Sequence, residues 1–535
     1  MRAALCVTAL CWACGDNTAP GADPLPLPGP GSLVAESGRG TFRLGTASAA
    51  TQIEDQNPAV DWNVFTRPVD QGGLGKGEYI ADAARGYSLA ASDLALIGGL
   101  GLDSYRFSIE WARVEPSRDV IDEAALDHYR TLLLDLRARG IRPVVTVHHF
   151  SNPTWIADPR DPTCTGGVSD TNLCGLGHPT GGPLVVAEME AHARLLATRL
   201  GDLVDDWGTL NEPVNYLLAA YGTGTFPPGR VTVLELRDQF MPIARDYLEA
   251  HASMYRAIKE ADQTDADGDG LAAAVGLSLL VADWVPAARG RPSTDPGDVA
   301  ARDRLVAVVH YLFADAVTTG MFDADLDGVA EEAHPGWVGT RDWLGLQYYF
   351  RAGVTGTQAL IPELGLTPCL GEFGFGTACI DAADPTFCVP SMGYEAWPSG
   401  LTALLEAFAA RYPGLPLVVT EAGIATRVGA RRAEIIVRTL EAIEAARAAG
   451  VDVRGFYYWS LTDNFEWAEG FVPRFGLFTV DYATYTRTAT EGADVLGAIA
   501  QSRQISAEQR ARYGGTGPMT PEPGHSGSVQ CTNDE

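Results

Sequence analysis

Two glutamates in the 535-residue chain stand where paired-carboxylate chemistry would put them: Glu212, within Thr209 to Pro213, and Glu421, within Val419 to Gly423. Each closes a short β-rich run. Glycoside cleavage needs such a pair, with one carboxylic acid protonating the departing oxygen while the other carboxylate attacks or stabilises the anomeric carbon. That division of labour requires Glu212 to keep a raised pKa and Glu421 to stay ionised, and Arg106 and Tyr349 are candidate donors for holding Glu421 so. A lone glutamate at a strand end is more commonly a salt-bridge partner. Two of them with aromatic neighbours change that balance.

The elements that must position these residues form an α/β pattern. Strands are predicted at Phe42–Ala47, Ser104–Ser108, Pro143–His149, Val204–Leu210, Ala274–Leu280, Trp343–Tyr348, Leu417–Thr420 and Arg454–Trp459. Eight is the number a closed (β/α)₈ TIM barrel needs. Amphipathic stretches such as Ala124–Arg139 and Arg431–Ala449 lie between them and stop at Gly140 and Gly450. No Gly-rich dinucleotide fingerprint follows the first strand, which disfavours an open doubly wound sheet. Arg106, His149, Asn211, Glu212, Gln347, Tyr349, Glu421 and Trp459 gather at the C-terminal ends of the strands, the rim where such barrels build their sites.

At these residues the chain resembles glycoside hydrolase family 1, the β-glucosidase and β-galactosidase group, over about Thr41 to Asp494. The matching segments, in family order, are YRFSIEWARVEP from Tyr105, VTVHHFSNP from Val145, TLNEP from Thr209, LGLQYY from Leu344, VTEAG from Val419 and YWSLTDNFEWAEGF from Tyr458. The resemblance implies Glu212 as acid/base and Glu421 as covalent nucleophile of a retaining, double-displacement exo-β-glycosidase acting on terminal glucose or galactose. It implies Asn211 as donor to the sugar 2-hydroxyl, Arg106 and Tyr349 as contacts of the nucleophile, Gln52, His149, Glu466 and Trp467 as glycone ligands, and Trp459 as a stacking floor. Phe150, Gln347 and Ala422 replace the family's usual Trp, Asn and Asn, which bears on subsite shape. Glu466 argues against a phosphorylated sugar. A transglycosidase using the same glycosyl-enzyme and a non-catalytic sugar-binding protein are the competing functions; the retained carboxylates disfavour the second.

Composition bounds the rest. With 39 Lys plus Arg against 68 Asp plus Glu, the net charge of −29 repels phosphate backbones, so nucleic acid is excluded as a partner and a small neutral glycoside is favoured. Residues 1–14 have the charge order and length of a secretory signal, with Cys14 placed as a lipidated cysteine, so the expected location is extracytoplasmic, membrane-anchored through Cys14 or otherwise secreted or periplasmic. Residues 15–37 read as a Pro/Gly-rich linker, 38–503 as the catalytic barrel and 504–535 as a disordered tail. Cys164, Cys174, Cys369, Cys379, Cys388 and Cys531 suit disulfides, with Cys164–Cys174 the first choice and the remaining connectivity open. His148 and His149 are strand neighbours facing opposite ways, and no cofactor or catalytic metal is implied. The runs Asp265, Asp267, Asp269 and Asp323, Asp325, Asp327 are half calcium loops whose twelfth positions, Gly276 and His334, do not close a coordination sphere; a solvated turn and a structural ion both stay open. Oligomeric state is not legible.

Overall fold

The computed structural model describes residues 23–357, 359–369, 379–523 and Cys531. Eight parallel strands close on themselves: β1 (Arg43–Ser48), β2 (Ser104–Ser108), β3 (Arg142–His148), β4 (Asp206–Asn211), β5 (Ala274–Ala288), β6 (Trp343–Thr355), β7 (Leu417–Ala422) and β8 (Val453–Trp459), the last pairing back to β1. This is the (β/α)₈ barrel expected from the spacing of the strand runs. The ring closes only because small residues let bulky ones fill it. A Cβ on Gly45 would sit 2.5 Å from the Tyr457 ring, and one on Gly276 would sit 2.4 Å from the Trp343 ring.

The helices return over the outside as α1 (Ala90–Leu100), α2 (Glu123–Ala138), α3 (Gly181–Leu200), α4 (Met241–Ala261), α5 (Pro296–Val306), α6 (Leu312–Thr319), α7 (Gly400–Arg411), α8 (Gly429–Ala448) and α9 (Glu491–Ser502). In α2 the apolar positions Leu126, Tyr129, Leu133 and Leu136 recur at helical spacing and are all buried. Asp122 caps its first turn by accepting from Ala124 N and Ala125 N, and Gly140, at φ +72°, takes the left-handed conformation that ends it.

Two sequence expectations need correction. The predicted tail, residues 504–535, is built structure through residue 523. Gln504–Ile505 pair antiparallel with Leu25–Pro26, and a short helix, α10 (Ala507–Tyr513), follows behind a capping box of Ser506 and Gln509. Beyond it, buried arginines of α8 find their acceptors in the Pro/Gly-rich backbone: Arg438 donates to Gly517 O at 2.7 Å and Arg431 to Thr520 O at 2.8 Å. Composition pointed to disorder because it does not register acceptors for distant arginines. The predicted linker, 15–37, likewise packs on the barrel from residue 23 onward, with Leu27 and Leu33 buried. Its apolar residues, spaced among prolines, are buried rather than left in water, and its carbonyls accept from the first strand and the last: Arg43 donates to Gly31 O and Arg454 to Ala35 O, both at 2.6 Å. The apolar leader and Cys14 lie outside the described residues. Among the described residues no helix is long and apolar enough to cross a membrane.

Three disulfides join Cys164 to Cys174, Cys369 to Cys379 and Cys388 to Cys531. All six cysteines expected to cross-link do so, and the third bridge ties the far C-terminus to the segment after β6.

Candidate active site

The site is assembled at the C-terminal mouth of the barrel from five strands, the residues that directly follow β3 and β4, and the segments that follow β1 and β8. Glu212 reaches it through a local distortion. Neighbours on a strand point to opposite faces, so Asn211 and Glu212 would not share one. The backbone of Glu212 instead adopts φ 39° and ψ 63°, and Pro213 starts the short helix Pro213–Leu217 that carries the chain away. A left-handed glutamate costs on the order of 1–3 kcal/mol, which the surrounding packing must supply. Asn215, one turn along that helix, donates to Glu212 Oε2 at 2.7 Å.

Across the mouth, Glu421 on β7 is gripped on both oxygens. Arg106 of β2 donates to Oε1 and Tyr349 of β6 donates to Oε2, the latter at 2.7 Å. The second arm of Arg106 donates to Asn211 Oδ1 at 2.6 Å, and Gln347 Nε2 donates to the same oxygen at 2.8 Å. With its carbonyl oxygen doubly engaged, the Asn211 amide is oriented with its NH₂ free to donate elsewhere. Gln347 and Tyr349, two residues apart on β6, share the inward face, while Tyr348 points out to Trp397 O at 2.5 Å.

Gln52 lies in the short helix Ala50–Ile53 that follows β1. Its Nε2 donates to Phe465 O at 2.8 Å, to Asn464 Oδ1 at 3.2 Å and to Glu466 Oε2 at 3.3 Å, so this helix and the loop after β8 form one wall. The His149 ring lies between two indoles, 6.0 Å from Trp459 and 5.9 Å from Trp467. His148 turns the other way, to Tyr247 OH at 2.8 Å and Asn152 Oδ1 at 3.2 Å, as strand alternation requires. Gln52 Oε1, His149 Nδ1 and Gln347 Oε1 are buried without a protein partner. Buried polar atoms are costly unless something bonds them, so these residues are suited to a polyhydroxylated ligand.

Electrostatically the carboxyl groups differ. Burial pushes Glu212 well above the usual carboxylate range, and the charge of Glu421 pushes the same way, against Asn215 and Arg106. Burial also raises Glu421, but Arg106 and Tyr349 oppose it directly. In the pair, Glu212 is therefore the group that keeps its proton. Glu466 is pushed up to about 8 by burial and then by Glu421. Burial holds His149 well below the ordinary histidine value, with Arg106 adding to it, so its imidazole is neutral at pH 7.

Every residue singled out from the sequence, Gln52, Arg106, His149, Asn211, Glu212, Tyr349, Glu421, Trp459, Glu466 and Trp467, belongs to this cluster or touches it. Sequence reasoning missed Asn215 and Asn464. The first carries a readable signal, since three residues beyond Glu212 on a helix that opens at Pro213 places it one turn above the carboxylate. Asn464 carries none, because its partner Gln52 is 412 residues away.

Comparison with known proteins identifies the family. The family model described as Glycosyl hydrolase family 1 matches residues 35–505. A β-galactosidase from Pyrococcus woesei is 30% identical over 86% of this chain and 93% of its own length. A coniferin β-glucosidase from Pinus contorta is 28% identical over 82% of this chain and 87% of its own. The solved β-glycosidase from Pyrococcus horikoshii superposes with a TM-score of 0.72 at 29% identity, covering 93% of this chain and all of that one. A closed barrel, two unlike carboxylates at its mouth and a family match across most of its length lead to one conclusion: the chain belongs to glycosyl hydrolase family 1 and is an enzyme that hydrolyses β-glycosides.

Proposed function

We propose that the protein is a retaining exo-β-glycosidase that removes a terminal, non-reducing β-linked glucose or galactose from a small glycoside or oligosaccharide, with Glu421 as nucleophile and Glu212 as general acid/base. The observation that carries this reading is the unequal support of the two carboxyl groups: Glu421 takes two donors, Arg106 and Tyr349, while Glu212 takes an amide from Asn215 and sits against a neighbouring negative charge. In the first step the Glu421 carboxylate forms a bond to the anomeric carbon as the bond to the aglycone oxygen breaks, and Glu212 transfers its proton to that oxygen. In the second, water attacks the same carbon, Glu212 takes its proton, and the sugar leaves Glu421 with the configuration restored by two inversions. Asn211 donates to the 2-hydroxyl, Gln52, His149, Glu466 and Trp467 hold the remaining glycone hydroxyls, and Trp459 offers its ring face to the sugar C–H groups. Tyr349, besides supporting Glu421, lines the glycone pocket.

Purified protein assayed against aryl β- and α-glycosides, with the product anomer followed by NMR, tests this. Release from a β-glycoside with retention, abolished in Glu421→Ala, is the expected result. Inversion, or turnover that survives Glu421→Ala, would overturn it. The same reading puts the enzyme outside the cytoplasm, with three disulfides as support and lipidation of Cys14 as the anchor.

A further inference from the structure

At the N-terminal end of the barrel, Asp265–Gly270 fold into a loop closed on its own carboxylates. Gly268 N and Gly270 N donate to Asp265 at 2.7 and 2.9 Å, and Asp269 N donates to Asp267 Oδ1 at 3.0 Å. A complete calcium loop ends in a bidentate glutamate at its twelfth position; here that position is Gly276, committed to β5. The fold brings another carboxylate to the place. Asp205, the residue before β4, lies with one oxygen within 4.8 Å of oxygens of Asp265 and Asp267. It is only 6% exposed. Its Oδ1 accepts from Ala266 N at 2.8 Å, while its Oδ2 is buried with no protein partner.

Charge accounting points the same way. Asp205, Asp206, Asp265, Asp267 and Asp269 crowd this corner with two guanidinium groups. Arg43 pairs with Asp206 and stands 3.7 Å from Asp267, and Arg142 pairs with Asp267. Asp205 and Asp265 have no cation of their own among the described ion pairs. Of the two only Asp205 is buried, where an uncompensated carboxylate is expensive, and an all-oxygen donor set is what a hard divalent cation takes.

We propose that Asp205, Asp265 and Asp267 hold one calcium ion at the N-terminal face of the barrel, Asp205 supplying the carboxylate that the loop's own twelfth position lacks. The ion joins the entry of β4 to the entry of β5. That face of a (β/α)₈ barrel serves stability, so the ion acts on the fold and leaves the rate unchanged. The second loop, with Asp323, Asp325, Asp327 and Glu331, clusters carboxylates too, but all four are partly or fully exposed, and the test removes it.

The test uses the full-length protein stripped with EDTA and titrated with calcium chloride by calorimetry, in a background carrying Asp323→Asn and Asp325→Asn. One bound equivalent and a melting temperature that rises with calcium are expected, both lost in Asp205→Asn, with kcat on an aryl glycoside unchanged. An equivalent retained by Asp205→Asn, or no binding by the background protein up to about 10 mM calcium, overturns the proposal. Should Asp205→Asn fail to fold, Asp265→Asn, on the exposed loop, decides by the same two readings.

Discussion

Glu212 and Glu421 are the same amino acid, and their difference comes entirely from what surrounds them. Replacing Glu212 by Gln keeps its shape and its contact with Asn215 but removes the transferable proton. We expect kcat/KM to fall by about 10²–10⁴-fold for a glycoside with a poor leaving group, and much less for an activated aryl glycoside whose oxygen needs little protonation. The pH profile follows from the directions of the two shifts. In the proposed mechanism Glu212 acts protonated, so activity is present below its raised pKa and is lost as pH climbs through it; Glu421 acts ionised, so activity is lost as pH falls through its own. Removing the carboxyl at Glu212 should erase the alkaline limb and leave the acid limb in place. An alkaline limb that persists in Glu212→Gln would assign that ionisation to another group, with Glu466, pushed up to about 8, the first to examine.

At the scale of single elements, β1 and β4 are tied together at the end of the barrel away from the site. Arg43 is fully buried and pairs with Asp206, itself buried, beneath the hydroxyl pair of Ser104 and Tyr457 at 2.8 Å. Arg43→Met would leave the Asp206 carboxylate buried without its cation. Breaking a buried pair from one side costs about 3–5 kcal/mol, so we expect a lower urea midpoint with kcat nearly unchanged. A double replacement of Arg43 and Asp206 by apolar residues should recover much of that loss, because the desolvation cost goes with the charges. If the single and double variants are equally unstable, packing rather than charge is the function of this pair. Strand positions and helix stops were legible in the sequence to within a few residues at most ends, since alternation, capping residues and stop glycines act locally. The long upper parts of β5 and β6 were not: the reading stopped at Leu280 and Tyr348, whereas the strands run to Ala288 and Thr355 because each pairs with the other.

For the molecule as a whole, the Cys388–Cys531 bridge spans a sequence separation of 143 residues, and closing so long a loop in the unfolded chain is worth about 5 kcal/mol in the chain-entropy account. Cys388→Ser with Cys531→Ser should therefore destabilise the fold about twice as much as removing Cys164–Cys174, whose separation is 10 residues, and lower the melting temperature correspondingly more. Equal effects would assign the stabilisation to local packing. Lipidation of Cys14 predicts recovery in the membrane fraction that Cys14→Ala abolishes, while the activity per molecule stays the same; a soluble wild-type protein in cells that process lipoproteins would count against it. The sequence by itself determined the barrel, the order of its strands and the residues at its mouth, because periodicity, capping and short motifs are carried by neighbours along the chain. Only the tertiary structure decided what raises the Glu212 carboxyl above that of Glu421, that Gln347 and Arg106 together orient Asn211, that residues 23–37 and 504–523 pack rather than dangle, and that Asp205 faces Asp265. Each of these depends on burial or on a partner tens to hundreds of residues away, and neither quantity is written in local spacing.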